Sequence, residues 1–375
     1  MISALTIDNF KCFATPTRFN FSLLNIFTGY NGRGKSSVFQ TLLLLAQSLK
    51  KNGNIENLEV NGNFIRLDLF EDLVNRDSPE PIRFILESSE PEYASVELGY
   101  IELSDRVGKI VELKINGNNY FQQAASLSSE QNTEKGNHLY TYPKDFHNLL
   151  TEYNYIAADR LGPTRYEEKE EISKSNPIGC NGEHRLNALV KDKELLKEAS
   201  EWINYIMDGG AIEVTGKENK QSAVLNLLFQ TNCKTHKKGF KSINCGFGYS
   251  YILSIVIMVL MIDRGRLFIE NPEAHLHPKA QSRLMELICQ KASEKNIQIF
   301  IETHSEHIIN SVRLCSLKKE SPITYQDVSI YFFDKDYKVI ELTMDEQAQI
   351  SNWPNGFFDQ QEIDLSEILK LGLFK

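Results

Sequence analysis

Nine residues restrict the fold more than any others in the chain: Gly29-Tyr30-Asn31-Gly32-Arg33-Gly34-Lys35-Ser36-Ser37. The apolar run Leu23-Leu24-Asn25-Ile26-Phe27 precedes them and Val38 to Leu45 follows, giving strand, glycine-rich loop and helix in that order. Gly29, Gly32 and Gly34 let the backbone reach positive φ and bring its N–H groups to phosphate oxygens. A helix starting near Lys35 offers further free N–H groups and the positive end of its dipole to the same anion. Lys35 can reach the β- and γ-phosphates of ATP, and the Ser36 hydroxyl can ligate Mg²⁺. Asn31 and Ser37 complete the ATP-binding set. The competing reading, a glycine-rich turn that binds nothing, leaves both flanking elements unexplained.

The formal net charge of -9 argues against a broad duplex-binding surface, although it permits a local basic groove. A length of 375 residues allows two or three domains, while α/β chains of this size also fold as one. The cysteines at 12, 180, 233, 245, 289 and 315 are scattered without C-x-x-C spacing, the pattern of reduced thiols in a cytosolic protein. No basic-then-apolar leader opens the chain. The apolar run Tyr251 to Ile262 is shorter than the roughly 20 residues of a membrane helix, so it reads as a buried core helix. A cytoplasmic protein with no membrane partner is expected.

Ser3 to Phe10 alternates apolar and polar, which suggests an edge strand. Ile82–Leu86, Ser95–Leu103 and Lys109–Ile115 read as antiparallel strands, with Asn116-Gly117-Asn118 as a hairpin turn. Gln122 to Lys144 reads as a loop and Glu167 to Glu171 as a solvated acidic run. Tyr155 to Pro163 is a strand ending in Asp159-Arg160, for which an ion pair and a nucleotide-sensing role are the two readings. Leu186 to Ile206 is helical, and Ala211 to Gln230 returns to strands. The tip that follows concentrates Lys234, Lys237, Lys238 and Lys241, either a solvated turn or a contact for nucleic acid or an acidic partner.

Three further stretches belong with the loop. Arg266-Leu-Phe-Ile-Glu-Asn-Pro-Glu273 is a buried strand ending in Glu270, the acidic group a P-loop enzyme uses around Mg²⁺. Ile297 to Ser305 is a second buried strand, delivering Thr303 and His304; both strands are expected to flank the P-loop strand. Gly246-Phe247-Gly248-Tyr249-Ser250 opens the long apolar helix and offers a second anion site. His275, His277, His304 and His307 form a rival metal set, although their spacing suits separate ATPase motifs better.

Together, Asn9-Phe10-Lys11, the loop, Gly246-x-Gly248-x-Ser250, Glu270-Asn-Pro-Glu-Ala-His-Leu-His-Pro278 and Glu302-Thr-His-Ser305 resemble an ABC-class ATPase head. The set is similar to the SMC, RecF and OLD-type group of AAA-family ATPases. Asn352 to Gln360 further resembles a short C-terminal domain found in a bacterial subfamily. The resemblance implies an α/β fold: an ABC-type head over residues 1–313, with a mixed, mainly parallel core sheet, an antiparallel β part near 82–120 and a helical signature lobe near 165–210 and 246–262. A small C-terminal domain would span 314–375.

The resemblance also implies that two heads sandwich ATP and Mg²⁺. Gly246, Gly248 and Ser250 of one would contact nucleotide held by the other, and His304 would sit near the γ-phosphate. Ser36 and Glu270 are the expected metal residues. Asn271 stands where the family usually has a catalytic Glu, and Asn cannot act as a general base. Slow hydrolysis is therefore expected, with Glu273 as the other group able to position water. The functional expectation is an ATP-driven switch or scaffold for a separate effector, a nuclease or toxin in bacterial antiviral defence. The alternative is a RecF-like DNA-repair ATPase using the lysine tip; a transporter ATPase would require a membrane subunit. Asp334-Lys335-Asp336 reads as a turn in preference to an OLD-type nuclease motif.

Overall fold

A computed structural model describes the chain except residues 79, 90–93, 120–148, 165–166, 169–175, 220–221, 231–239, 355 and 374–375. The loop expected at Gln122 to Lys144, residues 169–171 of the acidic run and the lysines at 234, 237 and 238 lie outside the described residues.

The strands are β1 (Ile2–Asp8), β2 (Thr17–Asn20), β3 (Leu24–Gly29), β4 (Asn57–Glu59), β5 (Ile82–Ser88), β6 (Ser95–Ser104), β7 (Val107–Ile115), β8 (Asn118–Asn119), β9 (Tyr153–Ile156), β10 (Glu167–Glu168), β11 (Ala211–Asn219), β12 (Ser222–Gln230), β13 (Phe240–Lys241), β14 (Arg266–Glu270), β15 (Gln298–Glu302), β16 (Val328–Phe333) and β17 (Val339–Leu342). The helices are α1 (Lys35–Asn52), α2 (Arg185–Lys191), α3 (Lys193–Ile206), α4 (Phe247–Met261), α5 (Pro278–Glu294), α6 (Glu306–Leu317) and α7 (Gln360–Leu373).

The central sheet runs β17-β16-β3-β15-β14-β9, parallel except for the edge strand β17. Both of its faces are covered, as parallel sheets require, and its residues sort by type. Ile26, Ile269, Ile301 and Ile330 join the aliphatic core formed with α2 to α6. Phe27, Phe268, Phe300 and Tyr331 face the other way, into the core formed with α1 and the antiparallel sheet. Phe268 stacks on Phe300 at 4.6 Å, and Phe39 of α1 meets Phe27 and Phe268 edge-on at 5.5 and 5.4 Å.

The antiparallel sheet has the order β2-β1-β5-β6-β7-β4, with β8 closing on β7 through the Asn116-Gly117 turn. Asn116 and Gly117 have φ of 51° and 78°, the conformation that asparagine-glycine turns favour. β1 is an interior strand between β2 and β5, which corrects the edge assignment. Its alternation reports one core-facing side, and that pattern is the same at an edge or inside an antiparallel sheet.

The sequence also misplaces β14. β3 is flanked by β15 and β16, and β14 lies one strand further out. Residues 328–342, expected in a separate C-terminal unit, supply β16 beside β3 and the edge strand β17. Asp334-Lys335-Asp336 is the turn between them: Asp334 Oδ1 accepts from the N–H groups of Asp336 and Lys338. No helix among the described residues is long and apolar enough to cross a membrane.

Candidate functional site

The loop leaves the end of β3 and enters α1 exactly where the strand-loop-helix order places it, with Gly29, Gly32 and Gly34 at φ of 123°, 69° and 104°. At Gly29 a Cβ would lie 2.2 Å from the Phe333 carbonyl oxygen, because β16 runs alongside. At Gly34 it would lie 2.5 Å from Cys12 Sγ. Lys35 is 4% exposed, and its Nζ donates to the carbonyls of Gly29 and Tyr30 at 3.0 and 2.7 Å. Burial lowers its pKa, opposed by the charge of Glu302. No acidic residue occupies the first turn of α1, so nothing there competes with an anion.

β14 and β15 end in register, Glu270 opposite Glu302. Glu302 also pairs with Phe27 of β3, which brings it beside the loop. Burial pushes its carboxyl up to about 7, against the pull of its hydrogen bond with Ser36. Its Oε2 is buried without a hydrogen-bond partner. Glu270 is raised by burial as well; its Oε2 accepts from the Ala158 N–H at 3.1 Å, and Tyr155 provides a second hydrogen bond. The resemblance includes Glu302 in the stretch Glu302-Thr-His-Ser305 but implies no role for it. The signal was present as a carboxylate closing an otherwise apolar run, the same pattern that drew attention to Glu270.

Asn271 has φ of 43°, which Asn tolerates better than most residues. Its N–H donates to the Glu302 carbonyl at 2.8 Å, and its Oδ1 is buried without a partner. Glu273 is anchored at both oxygens, by the Thr303 hydroxyl at 2.8 Å and the His304 N–H at 2.7 Å. Burial, and then the charge of Lys35, lower the pKa of His304 and favour its neutral form.

Arg160, read as half of an ion pair or as a sensor, spends its Nη donors on main-chain carbonyls. It bonds Ala157, Glu270 and Asn271 at 3.0, 2.6 and 2.7 Å, so it ties the end of β9 to the end of β14. Its guanidinium also lies 5.3 Å from the Tyr251 ring, which links this junction to α4. Burial lowers its pKa to about 10.

Three cavities touch the loop. One of about 300 Å³ is lined by Lys11, Gly34, Lys35, Ser36, Gln40 and Glu302 among others. A larger one of about 900 Å³ contains Ser36, Gln40, Tyr155, Asp159 and Glu270. The smallest, about 130 Å³, brings Thr28, Gly29, Tyr30 and His304 against Phe332 and Gly356 to Phe358. Residues 246–250 line none of the three.

Gly246 caps α4 at φ -61°, with open space around it. Ser250, expected to face a second nucleotide, is fully buried and its Oγ has no hydrogen-bond partner. The exposed groups at this helix start are Gly246 and Phe247. The rival histidine site is not assembled: no group of three or more His, Cys, Asp or Glu among the described residues could hold a metal. His275 instead packs on Phe247 and Tyr251, and His277 caps α5.

The family model described as AAA ATPase domain matches residues 1–180 and 183–309. One described as protein of unknown function (DUF3696) matches residues 323–368. Over 65 residues the chain is 28% identical to the uncharacterized protein MJECL11 of Methanocaldococcus jannaschii; this match covers 17% of the chain and 57% of that protein. Solved structures that share the fold include two Smc heads. An Smc head bound to the C-winged helix domain of ScpA has 13% identity and a TM-score of 0.53, covering 92% of this chain and 98% of that one. The Smc head domain with an extended coiled coil, bound to the C-terminal domain of ScpA derived from Pyrococcus furiosus, has 12% identity and a TM-score of 0.52, covering 98% and 99%. The chain therefore belongs to the AAA ATPase domain family and has the fold of an ABC-type, SMC-like ATPase head.

Proposed function

We propose that this ATPase head binds ATP with Mg²⁺ at the Gly29–Ser37 loop, pairs with a second copy around the nucleotide and hydrolyses it slowly. The observation that carries this reading is Lys35, buried inside the arc of the loop and sharing a cavity with Ser36 and with Glu302 at the end of β15. A hard cation with oxygen ligands fits the Ser36 hydroxyl and Glu270, which line one cavity, with the partnerless Oε2 of Glu302 beside Ser36. Bound Mg²⁺ would neutralise charge on the β- and γ-phosphate oxygens.

The residues around the loop divide the remaining work. Lys35 and the first N–H groups of α1 bind the phosphates. Neutral His304 is placed to donate or accept one hydrogen bond beside Gly29 and Tyr30. Asn271 lacks a basic group, and Glu273 has both oxygens engaged, so water is weakly activated. Slow turnover suits a switch whose output is the paired state. The exposed apolar side chains of α7, among them Ile363, Ile368 and Leu369, support docking to a separate effector, for which the subfamily resemblance suggests a nuclease or toxin in antiviral defence.

Size-exclusion chromatography with ATP and Mg²⁺ tests the pairing. Wild type is expected to dimerise only with nucleotide, and Gly246→Arg, at an exposed position where an added Cβ meets no described atom within 4 Å, is expected to bind ATP but remain monomeric. An ATP-dependent dimer that survives this substitution would remove Gly246 from the interface. Turnover near the common enzyme rate of about 10 s⁻¹ would contradict slow hydrolysis.

A further inference from the structure

We infer that Gly356 to Asp359 form a relay that reports a γ-phosphate at the loop to α7, with Tyr30 as its first member. This inference deepens the nucleotide-binding reading and rests on it.

The first reason is a contact between the loop and a segment distant in sequence. Tyr30 sets its ring edge-on against Phe332 at 6.1 Å and its hydroxyl against Gly356. A Cβ at Gly356 would collide with that hydroxyl, and Gly356 holds φ of 82°, so both space and backbone demand glycine here. The two residues line one cavity with Gly29 and His304. Gly356 is therefore part of the wall that surrounds the phosphate loop.

The second reason is the short path from Gly356 to α7. Gly356 donates its N–H to Asp359 Oδ2 at 2.8 Å, and the Asp359 carbonyl accepts the Ile363 N–H from the first turn of α7 at 3.0 Å. Phe357, 1% exposed, anchors this turn edge-on against Phe332 at 5.4 Å and Trp353 at 4.5 Å. Tyr30 and the turn thus rest on the same ring of β16. Residues 360–372 are all exposed, so among the described residues this turn is the anchored part from which α7 departs.

The third reason is a count of donors. A lysine ammonium has three N–H donors, and Lys35 spends two of them on the carbonyls of Gly29 and Tyr30. The third suffices for one β-phosphate oxygen, whereas β- and γ-phosphate oxygens together require two. Lys35 must therefore release a loop carbonyl to hold ATP, and need not do so for ADP. Gly29 is pinned against β16, where even a Cβ would strike Phe333, so the Tyr30 carbonyl is the one released. Tyr30 keeps its N–H on the Phe333 carbonyl at 2.9 Å and turns about that point. Its hydroxyl lies against Gly356, so the turn is passed to Gly356 and on to α7.

The experiment reads Trp353, which packs on Phe357, in a Trp202→Phe parent that lacks the chain's other tryptophan. Its emission is followed with a non-hydrolysable ATP analogue or with ADP, each with Mg²⁺, at a protein concentration where size exclusion shows a monomer. Displacement of a labelled nucleotide shows separately that the site is filled. The ATP analogue is expected to shift the Trp353 emission with the midpoint found by displacement, and saturating ADP to leave it unchanged. Tyr30→Ala, saturated with the analogue, is expected to lose the shift; Tyr30 is 41% exposed, so this variant should melt close to the parent. Gly356→Ala, whose added methyl meets the Tyr30 hydroxyl, is expected to show altered emission before any nucleotide is added. An equal shift with ADP, a shift that survives Tyr30→Ala, or no shift in a parent whose site is filled overturns the relay. Failure of the parent to bind the labelled nucleotide overturns the nucleotide reading itself, and with it this inference.

Discussion

The phosphate loop and the start of α4 both carry closely spaced glycines, yet their surroundings are opposite. Gly29 and Gly34 hold positive φ, and a Cβ at either would strike a neighbour. Gly246 has φ of -61°, which any residue can adopt, and nothing lies within 4 Å of its Cβ position. The loop glycines are therefore required by the fold of a single chain. Among the described residues nothing requires glycine at 246, which suits a position that meets a second molecule. That contrast is the pattern expected when one half of a site is built in and the other is completed by a second molecule.

Gly29→Ala should break the built-in half most severely. The added methyl meets backbone on β16, and a thermal melt is expected to show a loss of about 3 kcal/mol together with loss of ATP binding. Gly32→Ala keeps the left-handed strain without any contact, so about 1–2 kcal/mol is expected from the same melt. Asn271→Glu sharpens the chemistry between the two halves. Restoring a base should raise steady-state phosphate release by roughly 10²-fold, at the lower end of general-base effects. Gly246→Arg should leave the melt within about 0.5 kcal/mol of wild type while abolishing ATP-dependent pairing. At the far end of the scale, Ile368→Glu on α7 should also stay within about 0.5 kcal/mol, because Ile368 is 63% exposed. Chemical denaturation of the nucleotide-free protein would check that value.

The loop, the strand before it and the helix after it were legible because their chemistry is local: glycine, lysine and serine at fixed spacing say what they need. The apolar runs ending in Glu270 and Glu302 were equally visible. Their order across the sheet was not, since both runs look alike and only long-range pairing decides which one lies against β3. For the same reason Val328 to Phe333 was assigned to a separate unit, although it is a central strand. Ser250 shows a different limit. α4 is apolar on all sides, so no hydrophobic stripe reveals which way a polar residue within it points. Arg160 was ambiguous because its partners are main-chain carbonyls, which leave no trace in residue identity.

The position of β16 matters for how the protein comes into being. β3 is made long before its two sheet neighbours, residues 298–302 and 328–333, which lie about 270 to 300 residues further along the chain. During synthesis the loop strand therefore lacks both of its sheet neighbours until residues 298–333 are available. A nascent chain that stops short of β16 lacks the Phe333 carbonyl that receives the Tyr30 N–H. The loop strand is thus completed only once residues 298–333 are available, and a ribosome-bound intermediate halted before residue 328 should not retain ATP.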